Sequence, residues 1–567
     1  MYVSPTCPTE ISNHILSLKN KTTGDTKVNA LKTASAIPIF NKILSEVVNS
    51  SFEHGVFPTQ LKLAKVIPVY KNGSKTQVSN YRPISLLSVF SKIFEKAMHK
   101  RVYEFLQRNE SLCENQFGFR KSRSCEHALL VAQNELLKSL GKNKISLLLF
   151  IDFSKAFDMV NHDILLRKLE HYGIRGIANK WFESYLKGRE QYVSVNSTSS
   201  SRKNLQYSVP QGSILGPLLF IIYINDLPNI SELAKYILYA DDANIIITGD
   251  TIGQVCADYY VVTKLLMRWV QDNELLLNVK KTNYMIFTRK RSIDKNAISL
   301  KLGNASIERT HVAKFLGVLI DDKLKWDHHI LAVRHKMSRY IGTIHKIKHM
   351  LPMKCRLLTF NSLVMSHLNY CSLVWGATNK SKIDRIFSMQ KKAVRAIMNG
   401  PVNYYYDEGK IPTHTKPTFT EHKIPTVHNV IANNMLNFAH KLHISDLLPH
   451  SVNCIISKQS PCYVNNMECT SSWYREYSQV PFNTSTQFKA PLLQNKFEDQ
   501  VVELMKSSKC STSLTSYKNS VKSLTQKIQG QGSAENWEND NFILYTSLGL
   551  RRSDRNTGKP AVNYKVE

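Results

Sequence analysis

The stretch KYILYADDANIIITG, residues 235–249, sets two carboxylates side by side, Asp241 and Asp242, between two apolar runs. Adjacent like charges repel, so such a pair is either an ordinary polar turn or part of a site that needs concentrated negative charge. A third carboxylate, Asp152, stands near the end of another apolar run, ISLLLFIDF, residues 145–153. Three carboxylates converging at strand ends can hold two hard divalent cations, because Mg2+ prefers oxygen ligands and keeps part of its shell for substrate phosphates. Two such ions roughly 3.5 to 4 Å apart stabilise both the attacking and the leaving oxygen of an in-line phosphoryl displacement. The cations would offset the repulsion. An Asp pair alone is more often a surface turn, and it is the acid on a second strand that favours the chemical reading.

The elements that must position these acids follow from hydrophobic periodicity. ISLLLFIDF is read as a buried strand, and YILYADDANIIIT as two strands joined at the Asp pair. QYVSV and LQYSV, separated by the Ser-rich NSTSSSRKN, are read as a hairpin. Residues 1 to about 60 are expected to be helical, with an apolar spacing at Ile39, Ile43, Val47 and Val48. From about residue 325 the period becomes helical. Ile330, Val333, Met337, Ile341 and Ile344 line one face and Arg334, Lys336, Arg339, Lys346 and Lys348 the rest; Ile383, Ile386, Phe387, Gln390, Val394 and Ile397 repeat the pattern. With CRLLTFNSLVMSHLNY between them, a small helical bundle is expected.

Composition narrows the partners. The 567 residues suggest three or four domains on a prior of roughly 150 residues each. Lys and Arg number 75 against 44 Asp and Glu, a net charge of +31 that attracts phosphate backbones. The apolar run ILGPLLFIIYI, residues 214–224, is too short to span a bilayer, and MYVSPTCPTE has no basic-then-apolar signal pattern. Ten scattered cysteines form no disulfide framework, which fits a reducing compartment; cytoplasm and nucleus are the expected locations, without a membrane.

The ordered motifs FIDFSKAFD, SVPQGSILGPLLFIIYINDL and YADD resemble those of reverse transcriptases, more closely those of non-LTR (LINE, jockey-like) retrotransposons. VIPVYKNGSKTQVSNYRPISLLS, NQFGFRKSRSCEHAL, WFESYLKGREQYVSV, LNVKKTNYMIF and KFLGVLIDDKLKWDHHI are further words of that family, running from about residue 10 to 400. The resemblance implies an α+β right-hand polymerase: fingers, a palm with an antiparallel sheet, a helical thumb, and a poorly defined C-terminal region. The expected divisions are a helical extension over 1–50, fingers and palm over 51–320, thumb over 321–400, and a C-terminal region of unknown role and partial disorder over 401–567.

Roles carry over where motifs match. Asp152, Asp241 and Asp242 would be the palm carboxylates, holding two Mg2+ ions with Mn2+ as a substitute. Asp152 and Asp241 are expected to be the direct ligands, since neighbouring side chains on an extended backbone alternate and Asp242 would turn aside. Phe157 matches the steric gate, a ring that would clash with a 2′-hydroxyl. Arg82 and Arg120 match finger positions, and Arg120 is the preferred grip for the triphosphate, because guanidinium binds phosphate oxygens bidentately. Gln211 and Gly212 would lie beside the incoming nucleotide and template, Lys281 would protonate departing pyrophosphate, and Phe315, Leu316 and Gly317 match the primer-grip turn. The basic thumb helices would hold duplex by its backbone.

The resemblance thus implies an RNA-directed DNA polymerase using an RNA template, a DNA primer and dNTPs, with endonuclease function coming from elsewhere. The competing expectation is a catalytically silent remnant that only binds nucleic acid; an RNA-copying RNA polymerase is a weaker rival, because Phe157 argues against ribonucleotides. Ser208 departs from the family, which usually has Gly there. His450, Cys454, Cys462 and Cys469, with three, seven and six residues between them, do not match the family's zinc knuckle.

Overall fold

The computed structural model describes residues 1–18, 28–294, 298–398 and 415–443. The expectations for 444–567, including His450, Cys454, Cys462 and Cys469, lie outside the described residues. Two compact units emerge: residues 1–124 with 144–310, and residues 125–143 with 311–567. The expected divisions at residues 50, 320 and 400 were divisions by role; the compact units cut the chain differently, grouping Cys125–Gly141 with the C-terminal half.

The first unit is built on two sheets. β1 (Leu63–Tyr70) and β2 (Tyr81–Leu86) form an antiparallel pair, and β4 (Arg189–Val195) adds parallel to β1. β5 (Thr198–Ser199) and β6 (Lys203–Leu205) return along β4. The expected hairpin therefore exists, but its return strand ends where LQYSV begins; Tyr207 instead bridges Asn161.

The larger sheet runs β10 (Leu300–Leu302), β11 (Ala305–Arg309), β9 (Asn283–Phe287), β3 (Ile145–Asp152), β8 (Asp242–Gly249), β7 (Ala234–Tyr239). β3 is apolar along its length because it lies in the middle, antiparallel to β8 and β9; a strand flanked on both edges and packed on both faces cannot alternate polar and apolar residues. Helices Val89–Arg108, His162–His171, Leu215–Tyr223 and Ile252–Asp272 add to the same core, in which Phe94, Leu165, Phe220 and Tyr259 are buried.

At the N-terminus the helices Pro8–Leu16, Val28–Ala34 and Pro38–His54 form as expected, but the buried face of the third is not the expected one. Of the four expected positions Val48 is buried and Ile39, Ile43 and Val47 are exposed; Leu44 and Phe52 join Val48 inside, together with Asn41, Ser45 and Ser51. The polar residues are satisfied in place: Asn41 donates to the Ser35 carbonyl, and Ser51 accepts from the Trp181 indole. Local hydrogen bonding made a mixed face buriable, which apolar spacing could not anticipate.

The second unit is mainly helical. Helix Asp327–Ile347 buries Ile330, Val333, Met337, Ile341 and Ile344, all five expected positions. Helix Lys380–Ile397 buries Ile383, Ile386, Gln390, Val394 and Ile397, with Phe387 half-buried. Between them run Met353–Phe360, a π turn at Asn361–Met365, and Ser366–Asn369. The hairpin of β12 (Val312–Phe315) and β13 (Val318–Asp321) belongs to the same unit.

Candidate active site

Asp152 is the last residue of β3, and the β3–β8 register places it directly opposite Asp242. On the other side β7 pairs Tyr239 with Asp242, so Ala240 and Asp241 form the turn between β7 and β8. Directly opposed residues of an antiparallel ladder share a face. Asp242 therefore lies on the face of Asp152, which corrects the expectation that it turns aside: alternation presumes extended backbone through both aspartates, and Asp241 is in a turn.

Both turn carboxylates reach solvent, yet enough protein surrounds them to disfavour charge. Burial pushes the Asp242 carboxyl up to about 6, with Asp241 and Asp152 adding to the rise. Asp241 is pushed up by burial and by Asp152, and is held down in part by Lys71 and Arg82. The charge of Asp152 thus reaches both Asp241 and Asp242, as happens among groups sharing a site. Lys281 belongs to the same cluster. Its loop is tied to β3 where the Asn278 N–H donates to the Asp152 carbonyl at 2.8 Å, and its Nζ stands 3.4 Å from Asp152 Oδ2.

Phe157 sits in the short turn Ala156–Asp158, its ring stacked on Phe220 at 4.6 Å and edge-on to Phe119 at 6.3 Å. The Phe157 carbonyl accepts from Val209 N–H at 3.0 Å, which brings the SVPQG segment alongside. Gln211 Nε2 donates to Asp158 Oδ1 at 3.0 Å, and its carbonyl accepts from Ser85 N–H at 2.8 Å. Gly212 adopts φ +126, and a Cβ there would fall 2.5 Å from the Ser85 carbonyl oxygen, so only glycine allows this approach. Beyond it, the buried Glu95 accepts from Ile214 N–H at 2.6 Å, and from Ser91 and Tyr185. Burial pushes the Glu95 carboxyl up.

The two arginines expected at finger positions, Arg82 and Arg120, are used differently. Arg82, on β2, is exposed and acts electrostatically on Asp241. Arg120 donates to the carbonyls of Leu112 and Cys113 at 3.2 and 2.6 Å and to Gln107 at 3.3 Å. Its guanidinium fixes a turn in this structure rather than pointing free toward the acids. Sequence reasoning missed Lys71, which acts on both Asp241 and Asp242, and Asp158, the partner of Gln211. Lys71 stands in VYKNG and Asp158 in FSKAFD, so both lay within quoted motifs without a signal separating them from ordinary surface charges.

Residues 69–320 match the family model described as reverse transcriptase (RNA-dependent DNA polymerase). That segment is similar to reverse transcriptases. It is 27% identical over 412 residues to the probable RNA-directed DNA polymerase from transposon BS of Drosophila melanogaster, covering 70% of this chain and 44% of that protein. It is 28% identical over 376 residues to the RNA-directed DNA polymerase from mobile element jockey of the same fly, covering 64% of this chain and 40% of that protein. A retrovirus-related Pol polyprotein from type-1 retrotransposable element R1 of Bradysia coprophila is 25% identical over 340 residues, 57% of this chain and 32% of that protein. The chain thus spans less than half the length of these relatives.

The reverse transcriptase domain match ends at β13, so it includes Phe315, Leu316 and Gly317. Within the second unit, Leu316 (φ +45) and Gly317 (φ +83) form the two-residue turn between β12 and β13, the geometry that requires positive φ at both centres. Tyr370 donates its hydroxyl to the Leu316 carbonyl at 2.7 Å, and its ring lies against Gly317.

Reverse transcriptases as a family use divalent metal ions. Among the described residues no three Asp, Glu, His or Cys side chains close around a common point. The donor set nevertheless fits such an ion: three carboxylates at one end of the sheet, two of them with raised affinity for protons because burial, and then neighbouring carboxylates, disfavour their charge. Among the described residues no helix is long and apolar enough to cross a membrane.

Proposed function

We propose that the chain is an RNA-directed DNA polymerase of a non-LTR retrotransposon, which extends a primer 3′-hydroxyl with dNTPs along an RNA template. The observation that carries this is Asp152 opposite Asp242 with Asp241 in the adjoining turn, inside the segment that matches the reverse transcriptase family. Asp152, Asp241 and Asp242 would hold two Mg2+ ions, whose charge when bound offsets that of the triphosphate and of the developing oxyanion.

The chain's own residues do the rest. Lys281, whose Nζ stands beside Asp152, donates a proton to the departing pyrophosphate as the 3′-oxygen bonds to the α-phosphate and the hydroxyl proton passes to solvent. Arg82 and Lys71, the cations felt by the Asp pair, bind the triphosphate oxygens, while Arg120 supports the turn that precedes it. Phe157, braced by Phe220, stands under the sugar and excludes a 2′-hydroxyl. Gln211, fixed by Asp158, and Gly212, close to β2, border the nucleotide and template. Phe315, Leu316 and Gly317 position the primer end, and the basic helices that follow hold the duplex.

Primer extension on an RNA template tests this, with Asp241→Asn and Asp242→Asn as controls. Template-directed dNTP incorporation abolished by either change is expected; incorporation indifferent to both would sink the assignment. Salt-sensitive duplex binding without incorporation would support the silent remnant instead.

A further inference from the structure

The turn that carries Asp241 is held by a side chain from a distant part of the sequence. Gln116 is 1% exposed, and its Oε1 accepts two backbone hydrogen bonds, from Gly118 N–H at 2.8 Å and from Ala240 N–H at 3.0 Å. The surrounding backbone is zipped to β7: Phe117 N–H donates to the Leu238 carbonyl at 2.8 Å, and Leu238 N–H donates to the Asn115 carbonyl at 2.9 Å. A Cβ on Gly118 would fall 2.3 Å from the Ala240 nitrogen, so glycine is what lets the NQFGF segment come this close.

Ala240 needs such a hold. It adopts φ +55, a region unfavourable for a non-glycine residue, which persists when its surroundings over-determine it. Its N–H lies between the paired residue Tyr239 and the turn residue Asp241, so its direction sets where the Asp241 backbone goes. The carboxamide acts through its oxygen alone: Gln116 Nε2 is buried and has no hydrogen-bond partner among the described residues.

We infer that Gln116 is a positioning residue which, by accepting the Ala240 N–H, fixes the Ala240–Asp241 turn and thereby the placement of Asp241 and Asp242 for divalent-ion binding. The inference rests on the proposed function for its consequence in catalysis, but the hold on the turn exists without turnover.

The test compares the full chain with Gln116→Met, which keeps the side-chain length and removes the acceptor, and with the double variant Gln116→Met, Ala240→Gly. Glycine reaches positive φ without help, so it should restore the turn when the acceptor is gone. Three readouts are taken: hydrogen exchange of the peptide spanning residues 236–246, Mn2+ affinity by electron paramagnetic resonance, and the divalent-ion concentration for half-maximal incorporation. Expected for Gln116→Met are faster exchange in that peptide and a loss of about tenfold or more in Mn2+ affinity and half-saturation, with primer affinity unchanged and recovery in the double variant; a misplacement near 1 Å costs about 100-fold in rate. Gln116→Met with wild-type exchange and Mn2+ affinity overturns the inference, as does a loss that the double variant does not recover. If Gln116→Met does not fold, Gln116→Glu, which keeps an acceptor oxygen, takes its place: wild-type protection of the peptide supports the inference and lost protection overturns it. A wild-type protein that incorporates nothing defeats the proposed function, while the exchange and Mn2+ comparisons still decide the role of Gln116.

Discussion

Two hairpin turns of this protein, Ala240–Asp241 between β7 and β8 and Leu316–Gly317 between β12 and β13, solve one problem in different ways. Each puts a non-glycine residue at positive φ, Ala240 at +55 and Leu316 at +45. Each is held through one backbone group by a side chain remote in sequence: the Ala240 N–H by Gln116, and the Leu316 carbonyl by Tyr370. The second turn has glycine at its other centre, whereas the first has Asp241 there. The second turn spreads positive φ over both centres, one of them glycine, whereas the first places it on Ala240 alone, so the conformation of the first rests on a residue that does not adopt it freely and on the contacts that hold it.

If that is right, crowding the first turn has the largest effect. Gly118→Val should reduce primer extension by about 100-fold or more, because the side chain meets the Ala240 nitrogen and displaces Asp241. Extension within a few-fold of wild type would show that the turn tolerates displacement.

Acid should discriminate between the hairpins next. His329 is buried in the second unit, and its Nδ1 accepts from Leu319 N–H in β13 at 3.3 Å, which requires the neutral ring. Burial, then Lys336 and His367, lowers its pKa to about 4. The folded state therefore binds fewer protons than the unfolded between about 4 and 6.5, so this group's contribution is present above 6.5 and lost as pH falls toward 4. Urea midpoints should fall across that window and the fall should flatten in His329→Phe. Asp242 beside the first turn shifts the other way, raised to about 6, so acidification over this window should protect residues 236–246 while residues 312–321 lose protection.

Tyr370→Phe keeps the ring against Gly317 and removes one hydrogen bond, about 1 kcal/mol. A loss of about fivefold in primer affinity is expected, with dNTP KM unchanged; a change confined to dNTP KM would contradict primer positioning by this turn.

The smallest effect concerns a third strained site. Ser208 holds φ +94, with its N–H donating to the Val160 carbonyl and its own carbonyl accepting from His162 Nε2. The resemblance made glycine the usual residue here, and the backbone supplies the reason. Ser208→Gly should raise the urea-derived stability by up to about 1 kcal/mol, relief of strain exceeding the entropy that glycine adds to the unfolded chain.

Much of this was legible in the sequence because it is local. The Ile330, Val333, Met337, Ile341, Ile344 stripe gave both a helix and its buried face, since one helix buries one apolar surface. The uninterrupted apolar run before Asp152 gave a central strand. The N-terminal stripe misled, because Ile39, Ile43 and Val47 stay exposed while hydrogen-bonded Asn41 and Ser51 are buried. Arg120 misled for a related reason: a guanidinium that suits phosphate suits backbone carbonyls equally, and only spatial neighbours choose between them.

By itself the sequence determined the chemical inventory: three aspartates at the ends of apolar runs, a surplus of positive charge, a ring five residues beyond Asp152, and helices with one apolar face. Tertiary structure alone decided that Asp242 faces Asp152, that Lys71 acts on both turn-end aspartates and Arg82 on Asp241 while Arg120 binds backbone carbonyls, and that Gln116 holds Ala240. The physical reason is range. Periodicity and residue type act between near neighbours in the chain, whereas register, charge environment and the satisfaction of a buried N–H depend on groups far apart in sequence, 124 positions for Gln116 and Ala240 and more for Lys71 and Asp242.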